Sequence, residues 1–311
     1  ESWPVVLLAA LIFSAHPVAV YAAAYLVQRS IVLATLFSLL MWWSFARGLI
    51  TRKARWFAVS VLMYCLALSS KEHSVTAPAV CALLTLLHVR TYGVRTLFEL
   101  KLIRWGLAFT FVAYILAAVF VVFLFTGILG HAYEPIGEAL ATAGVSSMVS
   151  SDDLYLYSVF SQAAYFLKYV LLWVVPNPMW MSVDMREPFA TTLWAWPHTA
   201  MAAGSFIYFV VGVVLLWRGA GAGLLGFALL APQLLFLTEF STVRIQEPFV
   251  LYRSYFWMAP AFALLLPLQR LHTAKIMFLM SLILVGVFAF AFQPLHTFSP
   301  PYLPWYDALA L

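Results

Sequence analysis

The chain has 311 residues, 65% of them hydrophobic and 9% charged, with 17 Lys and Arg against 12 Asp and Glu and a formal net charge of +5. No soluble domain of this length sustains such a composition, so the chain predicts a polytopic membrane protein. The basic excess belongs to membrane topology. No basic-aromatic groove and no recognised nucleic-acid motif occurs, which argues against nucleic acid as a partner.

In chain order, nine apolar stretches read as membrane-spanning helices, since a helix satisfies its own backbone polar groups in lipid. The first, about Pro4 to Ala15, runs outward and is short, which suggests residues missing before it or a thin local membrane. The second, about Ser30 to Phe45, returns; the third, about Trp56 to Ser69, goes out to Lys71-Glu72-His73; the fourth, about Ser74 to Val89, comes back. The fifth, about Trp105 to Leu129, is the longest. Residues 1–129 then form the N-terminal part of a membrane domain. Residues 130–197 form an outer loop that is turn-rich around Glu134, Pro135 and Gly137, followed by a helical stretch, Tyr155 to Val175. Its apolar run from Tyr169 to Val175 is too short to cross, which makes it interfacial or re-entrant. Residues 198–293 carry four more spans: His198 to Trp217, Gly223 to Phe240, Tyr255 to Leu268 and Ile276 to Phe292. Residues 294–311 form an outer tail.

The charges sort between these spans. Arg47, Arg52, Lys53 and Arg55, then Arg90, Arg95, Lys101 and Arg104, then Arg218, then Arg270 and Lys275 fall in one set of turns. The other turns are acidic or mixed, so the basic set is cytoplasmic by the positive-inside rule. Trp residues near the span ends fit an aromatic belt. Cys65 and Cys81 sit inside apolar spans as packing residues, with neither disulfide nor metal spacing.

Ionisable groups at outer span ends are the candidates for chemistry. His16-Pro17 followed by Gln28-Arg29-Ser30 is a helix stop with an interface anchor, or an Arg at headgroup level placed for a lipid phosphate. Lys71-Glu72-His73, at a tight hairpin, is a self-neutralising pair or a functional one. Arg244, Glu247 and Arg253 share one short loop with Tyr252 and Tyr255; a guanidinium fork suits phosphate, and the alternative is a solvated Glu–Arg pair. Adjacent Asp152 and Asp153 are weak candidates for a divalent cation and otherwise form a solvated turn. No cofactor motif is found: there is no phosphate-cradling glycine loop, no His-rich metal motif and no Gly-x-Ser-x-Gly elbow.

Several of these segments, in this order, resemble bacterial relatives of the transmembrane-and-tetratricopeptide O-mannosyltransferases. They are His16-Pro17 through Tyr25 to Ser30 and Leu33 to Phe37; Leu66 to Pro78, with Ser70-Lys71-Glu72 and Val75-Thr76-Ala77-Pro78; Leu171 to Asp184; Glu247 with Tyr252-Arg253-Ser254-Tyr255 through Pro260; and Pro304 to Ala308. The resemblance implies a GT-C fold, a location in the bacterial inner membrane, and sugar transfer from a polyprenyl-phosphate donor to a protein or glycan acceptor on the periplasmic side. It also implies further spans and an acidic first outer loop upstream, and soluble repeats after Leu311. On that reading Arg29, Lys71, Arg253 and Arg244 bind the donor phosphate. Glu72, Glu247 and His16 serve the catalysis, with the principal base upstream. The alternatives are a non-catalytic membrane scaffold and a lipid-linked sugar transporter; the latter would want mid-span charges that are lacking here.

Overall fold

The computed structural model of the chain describes residues 3–25, 28–98, 101–127, 129–131, 153–177, 180–182, 185, 187–245, 247–271 and 274–297. The chain is all-helical, with no strand among the described residues. Its α-helices are α1 (Trp3–Ala15), α2 (Pro17–Ala23), α3 (Arg29–Thr51), α4 (Ala54–Ser70), α5 (Pro78–Tyr92), α6 (Arg95–Phe98), α7 (Lys101–Leu124), α8 (Leu154–Val174), α9 (His198–Arg218), α10 (Ala220–Leu235), α11 (Ser254–Met258) and α12 (Ala274–Thr297). Tighter 3-10 turns occupy Glu72–Thr76, Phe236–Phe240, Leu251–Arg253 and Ala259–Leu271.

Each of the nine apolar stretches is helical, but they are not equivalent. Five helical segments among the described residues are long and apolar enough to cross a membrane: Arg29–Thr51, Glu72–Tyr92, Ile103–Leu124, His198–Arg218 and Ala220–Phe240. A sixth arises if α1 and α2, bent by 65° at His16, form one broken span. Ala54–Ser70 and Ser281–Phe292 are apolar and shorter. The Tyr255 to Leu268 stretch is a short α-helix that tightens into 3-10 geometry, where Pro260 and Pro267 remove backbone donors. This is consistent with a multi-pass membrane protein. α8 is one continuous helix of 21 residues and is not among the segments apolar enough to cross.

The chain divides into two compact units, one of Glu1–Arg29, Gly127–Tyr208 and Glu239–Leu311, the other of Ser30–Thr126 and Phe209–Thr238. In the second unit, α5 packs on α10 and α4 on α7. Small residues set the closest approach: a Cβ on Gly226 would lie 2.2 Å from the Leu216 nitrogen and 2.6 Å from the Gly212 oxygen, so α9 and α10 meet backbone to backbone there. Buried polar groups are tied across helices. Trp42 Nε1 donates to the Ala77 carbonyl at 3.0 Å, Ser60 Oγ to the Met41 carbonyl at 2.8 Å, and Tyr64 to the Val75 carbonyl at 3.1 Å.

Three of the four basic turns, those around Arg52, Arg90 and Arg218, gather at one end of this unit. Phe57, at the start of α4, packs against Gly48 near the end of α3 and Gly106 near the start of α7. Arg90 Nε donates to the Trp217 carbonyl at 2.9 Å, and its guanidinium lies 4.4 Å from the Trp217 ring centroid. The Ala220 amide donates to Thr91 Oγ1 at 3.2 Å. Gly219, with φ 70°, turns the chain where any Cβ would meet the Arg90 carbonyl at 2.7 Å. The Lys71–Thr76 turn lies at the opposite end of α4 and α5 from these contacts.

In the first unit, Leu8 and Ile12 of α1 pack with Val287 of α12. His16 breaks the chain between α1 and α2. Its Nδ1 accepts the Val18 amide at 3.2 Å, capping α2, and its Nε2 lies 3.1 Å from the Trp173 carbonyl. A ring whose Nδ1 accepts must carry its proton on Nε2, so His16 donates to Trp173. The ring also stacks on the Trp173 indole at 4.3 Å.

Candidate ionic site

α8 presents Ser158, Ser161, Gln162, Tyr165 and Tyr169 along one face, at spacings of three and four, and all are buried. Buried polar groups need partners, because an unsatisfied one costs about 1–3 kcal/mol. Most of these partners belong to the backbone of a strap, residues 241–245 and 247–253, that runs along the helix. Ser158 Oγ accepts the Arg244 amide at 3.0 Å, and Gln162 Nε2 donates to the Pro248 carbonyl at 2.6 Å. The Tyr169 hydroxyl donates to the Val250 carbonyl at 3.0 Å and accepts the Val250 amide at 2.7 Å. The Tyr169 ring stacks on Phe249 at 4.0 Å. A second segment is held by the same face: Ser161 Oγ accepts the Ala190 amide at 3.0 Å, Tyr165 donates to the Pro188 carbonyl, and Lys168 pairs with Glu187.

Held this way, the strap places two guanidiniums on one carboxylate. Glu239, 1% exposed, lies 3.3 Å from Arg253 Nη1 and 3.6 Å from Arg244 Nε through the same oxygen, Oε2. Arg253 is itself 5% exposed. Its Nη1 also donates to the Glu247 carbonyl at 3.3 Å, and its Nη2 to Glu247 Oε2 at 3.2 Å. Burial alone would push the Arg253 guanidinium down. Glu239, ahead of Tyr252, Tyr169 and Glu247, holds it above its ordinary value, so it stays charged. Burial likewise pushes the Tyr252 phenol up, against the pull of Arg253. The cluster therefore holds two cations and two anions, with Glu239 enclosed and Glu247 at the rim, its side chain 43% exposed.

Arg29, in the first unit, opens α3 and is exposed. Lys71 and Glu72 belong to the second unit, where Glu72 Oε1 lies 3.4 Å from Lys71 Nζ and 3.1 Å from His73 Nδ1. Both ring nitrogens of His16 are committed to the α2 cap and the Trp173 carbonyl. Asp153 sits in the turn before α8, and Asp152 lies outside the described residues. Among the described residues no group of three or more His, Cys, Asp or Glu side chains could hold a metal ion.

Sequence reasoning brought Arg244, Glu247 and Arg253 together but passed over Glu239 and the polar face of α8. Both left a trace. Glu239 is a carboxylate inside Leu234-Leu235-Phe236-Leu237-Thr238-Glu239-Phe240, five residues before an Arg. Ser158, Gln162, Tyr165 and Tyr169 recur at helical spacing in a stretch otherwise read for its apolar run.

Fold and site together define an all-helical chain, consistent with a multi-pass membrane protein, that holds a buried ionic cluster on Glu239. Comparisons with known protein families, with curated proteins and with solved structures find no match.

Proposed function

We propose that the chain is the membrane-embedded part of a GT-C-type glycosyltransferase that moves a sugar from a polyprenyl-phosphate donor to a protein or glycan acceptor on the periplasmic side of a bacterial inner membrane. The observation that carries this reading is the pairing of Arg253 and Arg244 on Glu239, a carboxylate in the last turn of the apolar segment Ala220–Phe240. A lipid-linked phosphate has its tail in the bilayer and its charge at the bilayer surface, and cations fixed at such a span end suit both demands. The motif order from His16-Pro17 to Tyr252-Arg253 adds to this, and the nine-span GT-C topology belongs to the same proposal.

In the reaction the acceptor hydroxyl attacks the anomeric carbon. The carbon–oxygen bond to phosphate breaks, the phosphate leaves with the electron pair, and a carboxylate takes the hydroxyl proton. Arg253 and Arg244 stabilise the leaving phosphate. Glu247 is this cluster's carboxylate for the proton; Arg29, Lys71 and Glu72 remain further candidates from the motif order, each within its own unit. His16 contributes by fixing the α1–α2 bend.

A structural clamp is the second reading, favoured by the charge balance of the cluster. Transfer from a polyprenyl-phosphohexose to acceptor protein by the full-length protein in lipid vesicles separates the two. Arg253→Lys keeps the charge but loses the fork, and is expected to slow transfer about a hundredfold in a protein that still folds. A wild-type protein that is folded in the vesicles and transfers no sugar overturns the transferase reading; a folded Arg253→Lys protein that transfers at the wild-type rate removes Arg253 from the donor site.

A further inference from the structure

The two carboxylates on Arg253 differ in a way that a purely structural cluster does not require. Glu239 is enclosed and binds Arg253 and Arg244 through one oxygen. Glu247 reaches the same guanidinium from the rim, 43% exposed, through Nη2 alone among its side-chain contacts. The Glu247 backbone carbonyl bonds Nη1 separately, so the guanidinium keeps two of its three hydrogen bonds if the Glu247 side chain swings away. Displacing the carboxylate therefore does not dismantle the cluster. It leaves Arg253 held in place, with Nη2 facing the rim.

We infer that the Glu247 carboxylate is the resting occupant of an anion site, and that a singly charged phosphate diester on a lipid takes its place at Arg253 Nη2. The identity of the ligand rests on the donor reading above; the exchange rests on the geometry. Charge decides which phosphate fits. With Glu247 in place, the ion pairs among the described residues join two guanidiniums to two carboxylates. A phosphate diester carries one negative charge, the same as the carboxylate it replaces, so the exchange leaves the buried sum unchanged. A phosphate monoester carries about −1.5 to −2 at neutral pH and so brings more negative charge beside Glu239 than the carboxylate it replaces. A donor diester is thus matched to the site, whereas the monoester left after sugar transfer is over-charged for it. The returning Glu247 side chain then competes the product off.

The test is equilibrium binding to the full-length protein in lipid nanodiscs, read by tryptophan fluorescence, with three probes: a polyprenyl-phosphohexose, dimethyl phosphate and a polyprenyl monophosphate. Removing the internal competitor by Glu247→Gln is expected to tighten binding of the polyprenyl-phosphohexose about tenfold, the worth of one charge-assisted hydrogen bond. Glu247→Asp, too short to reach Nη2 but still charged, should tighten it less. Wild type should favour the diester over the monophosphate, and Glu247→Gln should narrow that preference. Dimethyl phosphate binding as tightly as the lipid-borne diester would move the ligand to a soluble source and overturn the lipid assignment. Unchanged or weaker binding of every probe by both Glu247 variants, each melting at the wild-type temperature, overturns the exchange. Tightened binding without any sugar transfer would leave the exchange standing and remove the transferase reading. Arg253-dependent transfer with no effect of Glu247 on binding would do the reverse.

Discussion

Glu239→Gln is the most demanding test of the ionic cluster, because it is nearly isosteric and removes one charge from a group only 1% exposed. In the wild type that carboxylate lies 3.3 Å from Arg253 and 3.6 Å from Arg244. After the substitution Arg253 retains Glu247, whose side chain is 43% exposed and so screened by water, and Arg244 loses the carboxylate 3.6 Å from its Nε. Removing one partner of a buried ion pair costs about 3–5 kcal/mol, since the remaining charge stays desolvated. Glu247→Gln acts at the rim and should cost about 1 kcal/mol or less. The double variant Glu239→Gln/Arg253→Gln should recover at least about 1 kcal/mol relative to Glu239→Gln, because it also removes the stranded cation. Denaturant unfolding in detergent micelles, followed by tryptophan fluorescence, measures all three; Trp257 and Trp173 are buried reporters in the same unit. If Glu239→Gln and Glu247→Gln destabilise equally, or the double variant is the least stable, the cluster does not work through a buried Glu239.

Three further outcomes follow from the packing. Tyr169→Phe removes both hydrogen bonds to Val250 and should destabilise by about 1–3 kcal/mol in the same unfolding assay, with the stacking on Phe249 retained. Gly226→Leu places side-chain atoms where the Leu216 nitrogen lies 2.2 Å from a bare Cβ, so it should abolish the folded monomer on size-exclusion chromatography, whereas Gly286→Ala, with open space around it, should not. In a cysteine-free background, Thr51→Cys and Thr91→Cys should label from the same side of a sealed vesicle, because the basic turns share one end of their unit; labelling from opposite sides would break that arrangement.

Helix positions were legible because apolar runs broken by charged turns are a local signal, and all nine stretches are helical. What distinguishes the helices from one another was less so. The 65° bend at His16 and the 3-10 geometry around Pro260 and Pro267 depend on proline and capping details that a hydropathy window averages away. The cluster was half legible: Arg244, Glu247 and Arg253 are neighbours in sequence. Glu239 was hidden because it closes an apolar segment, where a carboxylate reads as the start of a loop. The α8 face was hidden because its partners on the strap lie 81 to 86 residues away, and nothing local in Gln162 or Tyr169 announces Pro248 or Val250. His16 had two open interpretations; its ring caps the start of α2 at Val18 and bonds the Trp173 carbonyl, contacts that no hydropathy window reads.

The Tyr169 hydroxyl, bonded to both the amide and the carbonyl of Val250, works as a measuring stop. Upstream, Ser158 grips the Arg244 amide, so the stretch between Arg244 and Val250 is pinned at both ends to points on one rigid helix. Such a stretch tolerates changes of letter far better than changes of length. A single inserted residue lengthens an extended chain by about 3.3 Å, the full reach of the Arg253–Glu239 contact. Descendants of this sequence should therefore vary freely in composition at Ile245 while keeping the count between the two grips constant, and a one-residue insertion there should uncouple the two arginines from Glu239 even though no charged residue has been replaced.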